Sequence, residues 1–374
     1  MDKFARISLI EGYERDFISG LDILVVGAGA IGNELIKNLA LFGVGGITLV
    51  DFDTIELHNL TRSIFFREDD VGLPKSKIVA ARASEISKET NFQTKDGNFW
   101  TELTFKEILR FDAIICAVDN FEARIRLNSL AQLTNKLLIN TGIDHRFASV
   151  DIFPFNFSDD CACYECSIPH SVYEKISSRY SCGWIKKIYQ ENNVIPTTSI
   201  TASTVAAIAV SQLFECLKTN NNVSKILNSS TRVLLDTREL TTSKVNLSRK
   251  TSCPSPSHRD KEIKLTSASR DFHIHQNIFS EIGFELTNTY VEFSEPILLS
   301  TRKNQKTHQI LFDLAENFDE NVLMVDGERI LDADISWGMT LDELNKNYGD
   351  KKIPCKYVTI VDDQLEFDLI LEMN

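Results

Sequence analysis

The sequence predicts an α/β protein with a doubly wound, Rossmann-like and mostly parallel sheet. Two observations support this fold class. A glycine pattern, G-x-G-x-x-G at 27–32, directly follows a short apolar run, and strand-like and helix-like apolar patterns then alternate along the N-terminal half. Such alternation is typical of a parallel sheet covered by helices on both faces.

The expected elements follow one another in a regular order. Buried strands are expected at Leu21–Val26, Ile47–Phe52, Asp112–Ala117 and Leu137–Thr141. Helices are expected at Ile31–Phe42, Ser76–Ser87 and Ser199–Leu217. The last of these is apolar almost all round, which indicates a helix buried against the sheet.

A second, smaller domain is expected after a break in composition. A chain of 374 residues can bury two cores. The stretch 248–262 is rich in proline, serine and charge, as linkers are. We therefore expect a first domain over 1–255 and a C-terminal α+β domain over 256–374, with a helix near Met339–Tyr348.

The net charge of −13 disfavours broad binding to nucleic acid or to anionic membranes. No apolar run reaches the length of about 18 residues that a membrane span requires. The charged N-terminal residues lack the apolar centre of a secretory signal. These features predict a cytoplasmic protein that contacts neither nucleic acid nor membrane.

The glycine pattern predicts a phosphate-binding turn. Gly27, Gly29 and Gly32 allow the backbone and a helix N-terminus to approach a phosphate closely. Asp51 follows nineteen residues after Gly32, where an acid normally holds a ribose. The pattern alone does not distinguish NAD from another nucleotide, and a tight turn without ligand is the alternative.

The residues after Asp51 favour ATP. Asn59, Arg62 and Lys75 place an amide and two cations beyond the second strand. Cleavage of a triphosphate needs several cations, because negative charge builds on the departing pyrophosphate. Asp119, in A-V-D-N, follows a strand at the sheet edge where ligands bind, and its carboxylate suits Mg²⁺. The absence of a G-x-x-x-x-G-K-[ST] loop disfavours a P-loop enzyme.

Together these motifs resemble the ThiF/MoeB/HesA adenylyltransferases, which are relatives of ubiquitin-activating enzymes. The shared run is G-x-G-x-x-G, D-x-D-x-I, N-L-x-R, V-G-x-x-K and V-D-N, and it covers roughly residues 5–255. The resemblance implies that a carboxylate of a protein or peptide attacks the α-phosphate of ATP, giving an acyl-adenylate and pyrophosphate. No general base is needed, because a carboxylate is already an anion at neutral pH. The site must instead screen two anions and align their attack.

The resemblance also implies roles for individual residues. It assigns the ribose hydroxyls to Asp51, the close phosphate approach to Gly29 and the Mg²⁺ to Asp119. Arg6 is similar to an N-terminal arginine that reaches into the partner protomer's site, which implies a homodimer. The phosphate-binding residues would be Asn59, Arg62 and Lys75, and the other nucleotide-binding positions would be Gly27, Gly32, Asp53 and Asn120.

Clustering among the eight cysteines predicts a metal site. Cys163 and Cys166 form C-x-x-C, a turn in which two thiolates can bind one Zn²⁺. The resembled family often adds a second C-x-x-C, and here Cys253 occupies its first position and Pro256 its second. We expect a structural Zn²⁺, with a decayed site of reduced thiols as the alternative. The candidate fourth ligands are His258 and Cys161.

Cys182 lies between the C-x-x-C and the long apolar helix, where some relatives carry a thioester-forming cysteine. A thiolate there can capture an acyl-adenylate. Direct capture by a group of the same peptide is favoured over this route, because a tethered nucleophile reacts rapidly. Cys116 and Cys216 are expected in the core, and Cys355 has no evident partner.

Two substrate classes fit this chemistry. The first is a ribosomally made precursor peptide, activated at a carboxylate such as a glutamate side chain and then cyclised, as in the branch that matures the antibiotics microcin C and pantocin A. Ser63, where the family usually has glutamine, and the incomplete cysteine pair favour this branch. The alternative is activation of the C-terminus of a sulfur-carrier or ubiquitin-like protein. A non-catalytic scaffold is disfavoured by Arg62, Lys75 and Asp119.

Overall fold

The computed structural model divides the chain into two compact units. One comprises Met1–Ile168 with Val194–His258, and the other comprises Pro169–Asn193 with Arg259–Asn374. The predicted domain division at residue 255 stays a prediction. The structure describes residues 3–158, 161–169, 197–218, 229–251, 253, 255, 262–268, 289–301, 324–325, 328–329, 333–340, 343, 357–361 and 367–373.

One eight-stranded sheet forms the centre of the first unit. Its strands are β1 (Asp22–Val26), β2 (Gly46–Val50), β3 (Asn91–Lys95), β4 (Ala113–Cys116), β5 (Leu137–Ile143), β6 (Phe147–Pro154), β7 (Thr231–Asp236) and β8 (Thr241–Asn246). Their order among the described residues is β3-β2-β1-β4-β5-β6-β7-β8. In this order, each pair of neighbouring strands in β3-β2-β1-β4-β5 is parallel, and each pair in β5-β6-β7-β8 is antiparallel. This confirms the predicted Rossmann-like, mostly parallel sheet.

Helices cover this sheet, and three of them lie where the sequence pattern predicts. The α-helices of the described residues are α1 (Arg15–Gly20), α2 (Ala30–Phe42), α3 (Lys75–Ile86), α4 (Phe99–Glu102), α5 (Phe105–Ile108), α6 (Phe121–Leu133) and α7 (Ser199–Leu217). Short 3-10 helices occur at Ile7–Leu9, Leu57–Thr61, Glu68–Asp70 and Tyr164–Ser167. The four predicted strands and the three predicted helices of this unit, α2, α3 and α7, agree with the observed bounds to within two residues at each end.

The central strands are apolar along their length because both of their faces are covered. In β1, Ile23 pairs with Ile47 of β2 on one side and with Ala113 of β4 on the other. All three side chains are at most 1% exposed. The sheet is therefore the buried layer of the unit.

Helix α7 is part of the same core. It packs against α2, β5 and β6, and its buried residues include Val205, Ala209 and Leu213. The hydroxyl oxygen of Thr198 caps it by accepting the N–H of Thr201 at 3.1 Å. By length and composition, α7 is the only helix among the described residues that could cross a membrane, but a core helix has the same composition.

The second unit contains a smaller sheet. Its strands are β9 (Glu262–Ala268), β10 (Tyr290–Thr301), β11 (Met324–Val325), β12 (Glu328–Arg329), β13 (Ala333–Thr340), β14 (Tyr357–Val361) and β15 (Phe367–Met373). Five of them form a sheet of order β13-β10-β14-β15-β9, and β11 pairs with β12. Only the pair of β15 with β9 is parallel among these described strands. This confirms the smaller sheet of the C-terminal α+β region that the sequence predicts.

The helix predicted near Met339–Tyr348 is wrong at its start. Met339 and Thr340 end strand β13 instead. Thr340 and Glu343 form a capping box: the Thr340 hydroxyl accepts the N–H of Glu343 at 3.3 Å, and the Glu343 carboxylate accepts the N–H of Thr340 at 3.0 Å. The strand therefore extends through Thr340, and Thr340 caps the helical residue Glu343.

Two glycines make the turn between β1 and α2 unusually close. Gly27 has a φ of 104°, a region that L side chains rarely adopt, and a Cβ there would lie 2.6 Å from the carbonyl oxygen of Ala117. A Cβ at Gly32 would lie 2.0 Å from the carbonyl oxygen of Gly27. Helix α2 therefore packs directly on the backbone of the turn, and the turn packs on the segment after β4.

An ion pair anchors the long connection between β2 and α3. The guanidinium of Arg82, on α3, donates to the Asp70 carboxylate, with one bond of 2.8 Å, and to the carbonyl oxygen of Phe65. Asp70 is 5% exposed. The hydrogen bonds from Arg82 hold the pKa of the Asp70 carboxyl below its ordinary value. Arg82 thus holds the connection at Phe65 and at Asp70 against helix α3.

We expect Gly32→Ala to lower the free energy of unfolding by about 1–3 kcal/mol, because the added methyl group overlaps the Gly27 carbonyl. Gly20→Ala is the matched control. Gly20 ends α1, and a Cβ there meets nothing within 4 Å, so its effect should stay within about 0.5 kcal/mol. Urea unfolding of both variants measures the difference, and equal stabilities would contradict the close packing.

We expect Asp70→Asn to cost about 1.5–3 kcal/mol of unfolding free energy at pH 7, because a charged hydrogen-bonded pair is broken. The folded-state pKa of Asp70 lies below the unfolded value of about 3.9, so the pair contributes above about pH 4 and is lost as the pH falls towards the folded-state pKa. The difference from the unsubstituted chain should therefore shrink on acidification. Asp69→Asn, at the exposed neighbouring position, should show little loss at pH 7. A loss from Asp70→Asn that is independent of pH would contradict this.

Candidate functional site

The start of α2 is sterically open. Gly29 caps the helix with a φ of −72°, and a Cβ at this position would meet nothing within 4 Å. The first N–H groups of a helix have no partner within the helix and carry a partial positive charge. The turn therefore has room for an anion where the sequence predicts phosphate, although the role of Gly29 stays a prediction.

Asp51 closes this turn from the side of β2. Its carboxylate accepts the N–H of Ala28 at 2.6 Å and the N–H of Asp53 at 2.8 Å. Burial raises the pKa of the Asp51 carboxyl above its ordinary value, while these hydrogen bonds and the charge of Lys75 act in the opposite direction. The predicted contact of Asp51 with a ribose would use the remaining lone pairs of the carboxylate.

Asn33 links the turn to the loop that carries Arg62, and the sequence analysis missed it. Its side-chain nitrogen donates to the carbonyl oxygens of Ala28 at 2.8 Å and Gly29 at 2.9 Å. Its side-chain oxygen accepts the N–H of Phe65 at 3.0 Å. Asn33 is fully buried. A polar residue on the apolar face of a predicted helix was the available signal.

Lys75 and Asp53, two predicted site residues, form an ion pair. The Lys75 Nζ lies 2.6 Å from an Asp53 carboxylate oxygen, and the Lys75 backbone N–H donates to the Asp53 carbonyl at 3.0 Å. The Lys75 side chain is 11% exposed, whereas that of Asp53 is 48% exposed. Lys75 is the first residue of α3. Its ammonium is therefore held at one place, with its charge balanced by Asp53.

Asn59 shapes the turn that carries Arg62. The Asn59 side-chain oxygen accepts the N–H of Glu56 at 3.0 Å, and the Asn59 carbonyl accepts the N–H of Arg62 at 3.2 Å. The guanidinium of Arg62 donates to the His58 carbonyl at 2.8 Å. Asn59 is 7% exposed and Ser63 is 5% exposed, while Arg62 is half-buried. Asn59 therefore makes local contacts that hold the Arg62 backbone.

Asp119 lies exposed between β4 and α6. Its neighbour Asn120 caps α6, since the Asn120 side-chain oxygen accepts the N–H of Ala123 at 2.8 Å. Because β1 and β4 are paired in the sheet and Gly27 contacts Ala117, this segment lies beside the glycine turn. The carboxylate of Asp119 offers oxygen ligands, which Mg²⁺ prefers.

Three thiols of the first unit form a cluster. The Cys163 Sγ lies 3.8 Å from that of Cys166 and 3.6 Å from that of Cys253, and all three lie within 4.8 Å of one another. A tetrahedral ion with metal–sulfur bonds of about 2.3 Å separates its sulfurs by about 3.8 Å, whereas a disulfide needs about 2.05 Å. The hydrogen bonds from the other two thiols, with burial, raise the pKa of Cys163. The spacing therefore suits one cation.

Hydrogen bonds from outside the cysteine loop hold it in place. The Asn128 side-chain oxygen, on α6, accepts the N–H of Tyr164 at 2.9 Å. The Ser230 hydroxyl donates to the Ala162 carbonyl at 2.5 Å. The backbone N–H of Lys250 points to the Cys166 sulfur at 3.5 Å. The loop is thus built into the unit, and Cys253 reaches it from a distant part of the chain.

The other predicted residues differ in their placement. Arg6 is exposed next to the 3-10 helix Ile7–Leu9. Cys161 is buried, but it does not belong to the described thiols that cluster. Cys116 and Cys216 are buried as predicted, and burial raises the pKa of Cys216 to about 12. The predicted positions outside the described residues are Cys182, His258 and Cys355.

Comparisons with known proteins find relatives that match this chain over part of its length. The SUMO-activating enzyme subunit 2 of Dictyostelium discoideum is 33% identical over 152 residues, which are 40% of this chain and 22% of that protein. The ubiquitin-like modifier-activating enzyme 5 of Drosophila virilis is 30% identical over 186 residues, which are 46% of each. The chain thus spans less than half the length of these curated relatives.

The structural comparison confirms the fold. E. coli MccB, solved with AMPCPP and MccA, superposes with a TM-score of 0.53 at 22% identity, covering 68% of this chain and 74% of MccB. At this identity the likeness concerns the fold alone. The family model described as "ThiF family" matches residues 4–255, which is more than half of the chain. The chain therefore belongs to the ThiF family.

Proposed function

We propose that the carboxyl ends of β1, β2 and β4 bind ATP and that the chain transfers the adenylyl group of ATP to a carboxylate. The observation that carries this proposal is the nearly buried side chain of Lys75, whose ammonium is paired with Asp53. Asp53 lies two residues after Asp51, and the Asp51 carboxylate accepts an N–H of the glycine turn. A fixed cation next to an open helix start suits a polyphosphate. Membership of the ThiF family supports the same nucleotide.

The chemistry needs alignment and positive charge more than proton transfer. A carboxylate oxygen of the substrate forms a bond to the α-phosphorus, the bond from that phosphorus to its bridging oxygen breaks, and pyrophosphate leaves with the electron pair. Arg62 and Lys75 would offset the charge that develops on the phosphates. Mg²⁺, which Asp119 would hold, would supply further positive charge on the departing group when bound.

The substrate class that we favour is a ribosomally made precursor peptide, activated at a glutamate side chain or another carboxylate and then cyclised. The fold likeness to MccB, which has been solved with the MccA peptide, supports a peptide. The alternative is the C-terminus of a sulfur-carrier or ubiquitin-like protein, and the 30–33% identity to activating enzymes of such modifiers supports it.

We also propose a cytoplasmic homodimer in which the exposed Arg6 reaches the partner protomer.

We further propose that Cys163, Cys166 and Cys253 bind a structural Zn²⁺. The sulfur separations of 3.6 and 3.8 Å suit tetrahedral coordination by thiolates. A bound cation would also remove the cost of placing three thiolates side by side. His258 or Cys161 would supply the fourth ligand.

Replacing Arg62 by alanine, or Asp119 by alanine, should reduce ATP–pyrophosphate exchange about 100–1000-fold, because one preorganised charge contact to the transition state is lost. Arg67→Ala is the control, since the exposed Arg67 guanidinium donates to the carbonyl oxygens of Ile64 and Phe66 within the same loop. Its exchange rate should stay near that of the unsubstituted chain. Near-normal exchange by a folded Arg62→Ala protein would contradict the assigned role.

The same exchange assay distinguishes the substrate classes. One arm supplies a synthetic peptide encoded by a short reading frame beside the gene, and the other supplies a small carrier protein that ends in Gly-Gly. Stimulation by the peptide that is lost when its glutamates become glutamines supports the favoured class. Stimulation by the carrier alone supports the alternative. Failure of both to stimulate exchange, in a protein that binds ATP, would contradict catalysis and favour a scaffold.

The purified protein should contain about one Zn²⁺ per chain, as one tetrahedral site predicts. Cys163→Ser should lower both the zinc content and the melting temperature, because the thiolate that lies between the other two is removed. Cys216→Ser, at a buried thiol on α7 outside the cluster, should keep the zinc. Metal analysis by mass spectrometry together with thermal melting checks both, and a metal-free protein of undiminished stability would refute the site.

A further inference from the structure

Arg124 connects three acceptors at the sheet edge where Asp119 lies. It is the fourth residue of α6, and its guanidinium donates to the side-chain oxygen of Asn140 at 2.5 Å and to the carbonyl oxygen of Thr141 at 2.6 Å. It also donates to the carbonyl oxygen of Val118. A single side chain thereby joins the segment after β4 to strand β5.

The support behind Arg124 is buried and fully engaged. Asn140 is 5% exposed, and its side-chain nitrogen donates to the Asp151 carboxylate at 3.1 Å. Asp151 is 2% exposed and accepts two hydrogen bonds from Arg232, at 2.6 and 2.9 Å. Because Asp151 engages the amide nitrogen of Asn140, the amide oxygen is left to face Arg124. Arg124 is thus attached to a fixed part of the sheet.

The bond to Val118 acts directly on Asp119. A peptide group is planar, so a hydrogen bond to the Val118 carbonyl orients the peptide unit that leads into Asp119. On the other side of Asp119, Asn120 is held by its capping bond to the N–H of Ala123. The backbone is therefore fixed on both sides of a carboxylate that is itself exposed.

We infer that Arg124 is a positioning residue, which holds the backbone at Val118 so that the Asp119 carboxylate presents its oxygens to the divalent cation of a bound nucleotide. The inference rests on the proposed function and adds a residue to it. The three acceptors of Arg124 are protein atoms, and one of them is the carbonyl of Val118, the residue before Asp119. Arg124 therefore acts through Asp119. Partners that orient a metal ligand typically contribute about 10–100-fold to metal affinity.

A merely structural Arg124 would have a different signature. Loss of a cation from a buried network lowers the stability of the unit and affects nucleotide binding whether or not a cation is present. A positioning residue for Asp119 affects only the part of nucleotide binding that depends on the cation. Comparison of binding with and without the cation therefore separates the two roles.

The experiment uses Mn²⁺ and the ATP analogue α,β-methylene-ATP, with affinity measured by calorimetry in Mn²⁺ and in EDTA. The ratio of the two affinities is the cation-dependent gain. Arg124→Gln should lower this ratio about 10–100-fold, with little change of the affinity in EDTA. Arg124→Lys keeps the charge and a donor, but it cannot donate to three acceptors in a planar fork. Its ratio should therefore fall, but by less than that of Arg124→Gln. This second variant keeps the test valid where the glutamine variant does not fold.

Two comparisons complete the test. Arg126→Gln is the matched control on the same helix, since Arg126 pairs with Glu122 at 2.8 Å and lies 5.2 Å from the ring centroid of Trp100. It should lower the melting temperature and leave the ratio unchanged. If Arg124 acts through Asp119, the double variant Asp119→Asn/Arg124→Gln should have the same ratio as Asp119→Asn alone.

An unchanged ratio in both Arg124 variants, or additive losses in the double variant, would overturn the inference. If the unsubstituted chain bound the analogue equally well in EDTA and in Mn²⁺, the cation role of Asp119 would fall, and the role of Arg124 with it. If the chain bound no analogue under either condition, the proposed function itself would be contradicted.

Discussion

The absence of a side chain at Gly27 is the constraint on which the candidate site depends. A Cβ at this position would collide with the Ala117 carbonyl at 2.6 Å, and the Gly27 N–H donates to the Val50 carbonyl at 2.9 Å. The ends of β1, β2 and β4 therefore meet at one point. Asp51 and Asp119 follow two of these strand ends, so this contact brings together the two carboxylates that the proposed function assigns to one nucleotide.

Charge at this edge is balanced within the protein. The Lys75 ammonium is paired with Asp53 at 2.6 Å, and the Asp51 carboxylate accepts two backbone N–H groups. Under the proposed function, the phosphates of ATP compete with Asp53 for the same ammonium. This competition weakens ground-state binding. In the proposed reaction, Lys75 would interact more strongly with the departing pyrophosphate as its charge builds, and this difference would accelerate the reaction.

The sequence predicts the periodic and local features well. Strand and helix patterns identify the parallel sheet, and the motif around Lys75 identifies a residue that is held at a helix start. Asn33 and Arg124 were missed because their partners lie on separate elements, 32 residues away for Phe65 and 16 for Asn140. The helix predicted at Met339 failed because cross-strand pairing with Val291 outweighs the local pattern.

The central claim is that a carboxylate oxygen of the substrate attacks the α-phosphorus of ATP. Oxygen-isotope transfer tests this most directly: the substrate carboxylate is labelled with ¹⁸O, the acyl group is transferred, and the nucleotide product is analysed by mass spectrometry. Attack at the α-phosphorus places one labelled oxygen in AMP and none in the pyrophosphate. Label in inorganic phosphate accompanied by ADP, or unlabelled AMP, would contradict the claim.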